Sequence, residues 1–140
     1  IHAGEWVGGN AVRKAIESFG ADRIGHGVRV MEDPLAIALA KEKRIPFEVC
    51  LSSNLMSGVI ESLDEHPITQ MMAAGLQVTL NTDDPGILKT SLSNEYALFL
   101  KHSDFSIETI KGMILTAVQA AFIKSSEKKQ LEYELIEEFF

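Results

Sequence analysis

A few residues of this 140-residue sequence have side chains of the types that bind metal ions and transfer protons. His2 and Glu5 lie in the motif HAGE, His26 lies in RIGHG, and Asp83 and Asp84 lie in NTDDPG. Neutral imidazole and carboxylate groups both suit zinc, and a catalytic zinc keeps one position for water. Such a metal turns that water into a nucleophile near neutral pH. The motifs therefore predict a hydrolytic metal site.

The same residues stand at or just after segments that have the pattern of β-strands. Candidate strands lie at residues 1–2, 23–26, 46–50 and 76–81, and each is followed by residues with helical periodicity. Alternating strands and helices predict a parallel sheet with right-handed crossovers. Because parallel strands deliver their carboxyl ends to one edge, we expect the candidate residues to converge there.

Helix boundaries are indicated by capping residues. Asp33 is a predicted N-cap, and Pro34 after it is a predicted first helical residue. Gly20 and Gly75 stand where helices are predicted to end. After Asn81 the sequence predicts three helices, around residues 93–102, 106–122 and 126–139. The prediction is a single α/β domain, either a (β/α)₈ barrel or an open doubly wound sheet.

Each candidate residue also has a purely structural interpretation. An isolated histidine in a strand is more often a hydrogen-bonded core or rim residue than a metal ligand. Residues 83–86, DDPG, fit a simple turn, and residues 52–54, SSN, fit local backbone capping. His66 precedes a helix start and His102 lies in a surface stretch, so both are interpreted as structural. The coincidence of several such residues at strand ends favours the metal site.

The residues alone allow two other functions. A nucleophilic site of Cys50, His26 and Asp83 is conceivable, because all three follow strands. No nucleophile-elbow pattern surrounds Cys50, however, and its apolar neighbours indicate a small buried hydrophobic residue. A non-catalytic binding module on the same fold would lack the metal-binding residues, which are present here.

Composition narrows the range of partners. The net charge is −7 and the 13 basic residues are scattered among 20 acidic ones, which argues against nucleic-acid or anionic-membrane binding. No apolar run is long enough to span a membrane, and we expect no export leader. A single cysteine suits a reducing compartment, so a cytoplasmic location is expected.

Taken in order, the motifs resemble a known family. HAGE at 2–5, RIGHG at 23–27, PFEVCLSSN at 46–54, HPITQMMAAG at 66–75 and TLNTDDP at 79–85 are similar to the C-terminal portion of the adenosine and AMP deaminases. The resemblance covers nearly the whole chain. It implies a (β/α)₈ barrel with one zinc, of which this chain supplies strands five to eight and extra C-terminal helices. It also implies hydrolytic removal of the 6-amino group of a purine.

The resemblance implies a role for each motif residue. His2 and Asp83 match zinc ligands, and Glu5 matches the residue that donates a proton to purine N1. His26 matches the histidine that orients or deprotonates the water on the metal, and Asp84 matches the acid that hydrogen-bonds the purine near N7. This chemistry needs Glu5 protonated and Asp83 ionised near neutral pH. The two aspartates can share one site only if the chain turns between them, because adjacent residues of a strand point to opposite faces.

The family pattern also contains a His-x-His pair of zinc ligands on its first barrel strand, and no such pair occurs in this sequence. We therefore expect residues 1–140 to be one partial domain whose partner is the N-terminal half-barrel of the same protein. By themselves they should bind zinc weakly and show negligible activity, because a catalytic zinc normally has at least three protein ligands. Leu51 replaces a common proline and should affect only a loop.

Adenosine, converted to inosine and ammonia, is the substrate that the motifs favour. RIGHG and NTDDPGI are closer to adenosine deaminases than to the adenine-specific branch. Aminodeoxyfutalosine deaminase and adenine deaminase remain alternatives, as does a non-catalytic purine-binding barrel. The absence of an obvious phosphate cradle disfavours AMP.

Overall fold

A parallel sheet forms the centre of the molecule. The computed structural model describes residues 1–139, and within them the strands are β1 (His2–Ala3), β2 (Ile24–His26), β3 (Pro46–Val49) and β4 (Gln77–Leu80). They lie in the order β1-β2-β3-β4, and each pairs in parallel with its neighbour in the chain. The four predicted strand positions are thus confirmed.

The strand registers bring the motif residues to a common edge. His2 lies opposite Gly25, Ala3 lies opposite His26, and Val49 lies opposite Leu80. Chain-ordered parallel strands joined by helices are the arrangement of a (β/α)₈ barrel rather than of a doubly wound sheet, in which the strand order reverses. The structure therefore favours the first of the two predicted architectures.

Helices follow every strand. They are α1 (Asn10–Phe19), α2 (Pro34–Glu42), α3 (Leu51–Met56), α4 (Ile68–Ala73), α5 (Pro85–Leu88), α6 (Leu92–Lys101), α7 (Ile107–Ala120) and α8 (Ser125–Phe139). Short 3₁₀ segments occur at Val28–Glu32 and Leu63–Glu65. The predicted start of α2 is confirmed, since the Asp33 carboxylate accepts hydrogen bonds from the N–H groups of Leu35 and Ala36. The three C-terminal helices are also confirmed, within a few residues at each end.

A continuous apolar core joins the helices to the sheet. Phe47 and Val49 of β3 and Ile24 of β2 are completely buried. They belong to one cluster with Val12 of α1 and Met71 of α4. Burial of such side chains stabilises the fold by roughly 1.5–3 kcal/mol each. The strands β2 and β3 are therefore anchored in the core next to the carboxyl edge of the sheet.

Two short helices begin where the sequence predicted only a loop and a turn. The helix α3 starts directly after β3 and contains Ser52, Ser53 and Asn54, all of which are buried. Their assignment to local backbone capping was wrong, because burial in the helix turns their polar groups toward other elements. The helix α5 begins directly after Asp84.

The side of the sheet at β1 has a largely apolar surface. Trp6, Val7 and Phe19 are each more than 60% exposed, and they line a hollow beside β1 together with Ala11 and Ala15. Among residues 1–139, β1 pairs with β2 alone, so its outer edge is open. No helix in the described part of the chain is both long and apolar enough to cross a membrane.

Candidate functional site

Three side chains from different strand ends form a cluster with the composition of a metal site. His2, His26 and Asp83 each offer a ligand atom, and these atoms all lie within 4.8 Å of one another. The His2 and His26 rings are tilted against each other with centroids 5.2 Å apart. His26 is buried, whereas His2 and Asp83 are exposed. The structure thus brings together three of the predicted site residues.

The backbone turns sharply at two of these positions. His26 has a φ of 59° and Asp83 has a φ of 56°, both in the left-handed region. This conformation is uncommon outside glycine, although His and Asp tolerate it better than most residues. It bends the chain immediately after β2 and β4 and directs both side chains into the cluster. The turn that the Asp83–Asp84 pair required is therefore present.

Close packing fixes the first histidine. A Cβ atom on Gly25 would lie 3.0 Å from Nδ1 and 3.1 Å from Cε1 of His2. The His2 ring therefore lies directly over the Gly25 backbone, which only the absence of a side chain allows. This contact explains one of the two glycines of RIGHG. The other, Gly27, has a φ of 67° and packs against Phe47.

Glu5 and Asp83 both lie near the same nitrogen of the buried imidazole. The His26 Nε2 atom is 3.7 Å from Oε2 of Glu5 and 3.7 Å from Oδ2 of Asp83. Arg29 donates a hydrogen bond of 3.0 Å to the backbone carbonyl of Glu5, which holds the HAGE segment against the 3₁₀ segment. One protonatable nitrogen thus faces two carboxyl groups.

Side chains of α3 support this cluster. The Ser53 hydroxyl donates a hydrogen bond of 2.7 Å to Oδ2 of Asp83, and the Asn54 amide lies 3.2 Å from Nδ1 of His26. The Asn54 side chain also lies 3.2 Å from Nε2 of His66, which was interpreted as structural and which this contact connects to the cluster. The motif LSSNL gave no periodic or spacing signal for these contacts. The polar run directly after a predicted strand was the only indication of them in the sequence.

A buried glutamate anchors α3 in turn. Glu95 of α6 is completely buried, and its Oε2 accepts a hydrogen bond of 3.0 Å from the Ser52 N–H. Its Oε1 accepts a hydrogen bond of 2.6 Å from the Thr90 hydroxyl. The carboxylate thus satisfies a backbone donor in the first turn of α3 that has no partner within the helix. Sequence reasoning missed this residue.

Cys50 does not have the properties of a nucleophile. The residue is 5% exposed, and burial raises the pKa of its thiol to about 12. Only a thiolate attacks, so this thiol is inert near neutral pH. The alternative Cys-His-Asp site is therefore unsupported.

The remaining predicted residues lie at the margin. Asp84 is exposed at the N-terminus of α5, and its side chain makes no capping hydrogen bond to that helix. His102 Nδ1 pairs at 2.6 Å with Oδ1 of the exposed Asp64 and contacts no residue of the cluster, as its structural interpretation predicted.

A hollow of about 390 Å³ opens against His2, His26 and Asp83. Its volume is within the range of small-molecule sites.

Comparison with known proteins identifies the family. The family model described as adenosine deaminase matches residues 1–138. The chain belongs to the adenosine deaminase family. This membership accounts for the order of HAGE, RIGHG and NTDDP along the sequence and for the parallel strands that carry them.

Individual members of the adenosine deaminase family resemble the chain closely. The aminodeoxyfutalosine deaminase of Streptomyces avermitilis is 38% identical over 134 residues, which are 96% of this chain and 37% of that protein. The adenosine deaminase of Photorhabdus laumondii is 37% identical over 131 residues, covering 94% of this chain and 39% of the relative. The chain thus spans less than two fifths of these curated relatives.

Solved structures of the family confirm the fold. An amidohydrolase from Burkhoderia ambifaria with bound Zn superposes with a TM-score of 0.89 at 27% identity. The match covers 99% of this chain and 39% of that structure. The predicted α/β fold, a partial barrel with additional C-terminal helices, is thereby confirmed.

Proposed function

We propose that this chain supplies the catalytic half of a zinc-dependent deaminase that converts adenosine to inosine and ammonia. The observation that carries the proposal is the convergence of His2, His26 and Asp83, with Glu5 beside them, at the carboxyl edge of the sheet. That edge is where barrels of this type hold their active sites. Membership in the deaminase family supports the reaction class.

The donor set fits the proposed metal. Imidazole and carboxylate are characteristic zinc ligands, and His2 of the first strand and Asp83, which follows the last strand, would hold the ion together. Ser53 supports this assignment, because ligating carboxylates are commonly held by a second hydrogen bond. When bound, zinc lowers the pKa of water and so supplies a nucleophile near neutral pH.

The proposed roles of the protein groups follow the atoms of the reaction. The oxygen of water bonds to C6 of the purine, and the C6–N6 bond breaks to release ammonia. Glu5 donates a proton to N1 as C6 becomes tetrahedral, and His26 contacts the attacking water. Of the two protons that water brings, one replaces the proton of Glu5 and the other leaves with ammonia. Asp84, exposed beside the cluster, accepts a hydrogen bond from the purine near N7.

The proposed protein is a closed barrel in which residues 1–140 form four of the strands. The open edge of β1 and the exposed Trp6, Val7 and Phe19 support this architecture, because such an apolar surface marks an interface. The other half-barrel would add the further zinc ligands and most contacts to the sugar. It is the partner that we propose for this chain, and we refer below to the two together as the complete barrel.

A second substrate is favoured by one observation. The relative from Streptomyces avermitilis, 38% identical to this chain, is named an aminodeoxyfutalosine deaminase. Its substrate and adenosine both present a 6-aminopurine on a sugar. The residues at this edge would contact the shared purine, so the choice between the two nucleosides falls to the other half-barrel.

The test is an absorbance assay on the complete barrel. We expect zinc-dependent loss of the adenosine band, abolished by a chelator and reduced by about 10²–10⁴-fold in Glu5→Gln, which removes the proton donor. Glu17→Gln, on the exposed face of α1, is the matched control and should keep full activity. Purine binding without turnover would support the non-catalytic alternative, and indifference to both nucleosides would refute the substrate class.

A further inference from the structure

Three buried polar side chains form a line that ends at the candidate active site. The His66 Nε2 atom lies 3.2 Å from Oδ1 of Asn54, and Nδ2 of Asn54 lies 3.2 Å from Nδ1 of His26. The three residues are 4%, 0% and 2% exposed. Each comes from a different part of the chain, so the line exists only in the folded protein. His66 and Asn54 have no part in the proposed chemistry described above.

The far end of this line fixes the direction of every hydrogen bond in it. The backbone N–H of Ile68 donates a hydrogen bond of 3.0 Å to Nδ1 of His66. A backbone N–H is always a donor, so this Nδ1 must be unprotonated. The proton of a neutral His66 therefore lies on Nε2, which donates to Asn54.

Asn54 passes this constraint on to His26. Its atom facing His66 must be the acceptor Oδ1, so its amide NH₂ group faces His26. That group is a donor, and Nδ1 of His26 must then accept. A neutral His26 consequently carries its proton on Nε2, the nitrogen that faces Glu5 and Asp83. This assignment follows from the hydrogen bond that the Ile68 N–H donates to His66.

We propose that Asn54 and His66 are positioning residues that hold His26 as the Nε2–H tautomer, so that it faces the active site as a hydrogen-bond donor. This inference rests on the proposed deaminase function. In this tautomer His26 orients the attacking water by donating to its oxygen rather than by removing its proton. A protonated Nε2 also offers no lone pair to a metal, which separates His26 from the ligands His2 and Asp83.

Burial and charge support the assignment. Burial lowers the pKa of His66 to about 4, so this imidazole is neutral near neutral pH, as the bond from Ile68 requires. At the other end, an N–H that faces the ionised Asp83 carboxylate is electrostatically favourable, whereas a lone pair there would be repelled. Asn54 uses both its donor and its acceptor within the line, as a buried amide requires.

The direct test measures the tautomer of His26 in the metal-free complete barrel by ¹⁵N NMR of labelled histidine rings. Signals of His26 are assigned by their loss in His26→Gln. We expect a protonated Nε2 and an unprotonated Nδ1. A protonated Nδ1 in a barrel that deaminates adenosine would overturn the inference and leave the proposed function intact. If the expected tautomer is found but the zinc-loaded barrel turns over no purine nucleoside, the inference about His26 is supported and the proposed function is overturned.

A nearly isosteric variant tests the mechanism. Asn54→Asp replaces the donor that faces His26 with an acceptor, and the new carboxylate can still accept a hydrogen bond from His66. We therefore expect the proton of His26 to move from Nε2 to Nδ1. Activity should fall about 10–100-fold through kcat, with KM little changed. His66→Phe provides a second variant, because it frees the amide to rotate and should give a mixture of tautomers. Wild-type spectra and kcat in both variants would contradict the proposal.

Discussion

The Ser53 hydroxyl donates a hydrogen bond of 2.7 Å to Oδ2 of Asp83, the carboxylate that we propose as a zinc ligand. The contact joins α3 to the turn after β4 and limits the orientations that the carboxylate can adopt. A ligand held in this way has less rotational freedom to lose on binding. In the proposed site, Ser53 would therefore act on the metal through Asp83.

Removal of this hydroxyl should weaken zinc binding. For Ser53→Ala in the complete barrel we expect about a 10–100-fold loss of zinc affinity, measured by competition with a chelating dye. Ser57→Ala is a matched control, because its hydroxyl bonds only backbone carbonyls of the same helix. Equal affinities in the two variants would show that the Ser53 contact does not orient the ligand.

The close approach of His2 to Gly25 gives a second prediction. In Gly25→Ala the new methyl group would lie 3.0 Å from the His2 ring, so the imidazole must shift by a few tenths of an ångström. We expect zinc affinity to fall on the order of tenfold, as it does when groups around a metal site are changed. The fold should survive.

Gly112→Ala is the control for this substitution. Gly112 lies in α7 with open space around its Cα, so the added methyl group should be neutral or stabilising by up to about 1 kcal/mol. Circular dichroism and zinc titration of both variants separate a local effect from general destabilisation. An unchanged zinc affinity in Gly25→Ala would mean that His2 is not a ligand in this geometry.

Burial of His66 predicts a specific dependence of stability on pH. Its pKa falls from the ordinary 6.5 to about 4 in the folded protein because of burial. Between these values the unfolded chain binds more protons than the folded one, so stability is complete above about pH 6.5 and decreases as the pH drops toward 4. The loss should reach up to about 3 kcal/mol.

Urea unfolding of wild type and His66→Gln at pH 7 and pH 4.5 measures this component. The variant lacks the buried imidazole and should be less sensitive to acid, even if it is less stable at pH 7. His102→Gln removes a partly exposed histidine that pairs with Asp64, and it should retain the acid sensitivity of the wild type. Identical pH dependence in wild type and His66→Gln would contradict the assignment.

The sequence predicted the local features of this fold well. Strand positions, the Asp33 cap and the three C-terminal helices all depend on residues close together in the chain, and the structure confirms them. His2, His26 and Asp83 were also predicted to meet, because strand ends of a parallel sheet share one edge. The roles taken from the family resemblance for these residues, Glu5 and Asp84 stay predictions.

The supporting residues could not be predicted, because their partners are remote in sequence. Asn54 meets His26 across 28 positions, and Ser52 meets Glu95 across 43. No periodicity encodes such contacts, and the polar side chains of LSSNL resemble an ordinary cap or loop. Only the folded structure, which brings α3 to His26, Asp83 and Glu95, reveals what they bind.

The order of the strands also has a consequence for how the site comes into existence. His2 belongs to the first strand and Asp83 follows the last, which a flat sheet would hold about 14 Å apart. Their ligand atoms nevertheless lie within 4.8 Å, so the sheet must curve through all its strands before the cluster forms. In the proposed protein, the ligands would therefore come together only after all four strands have assembled, and the uptake of zinc would report on that step of folding.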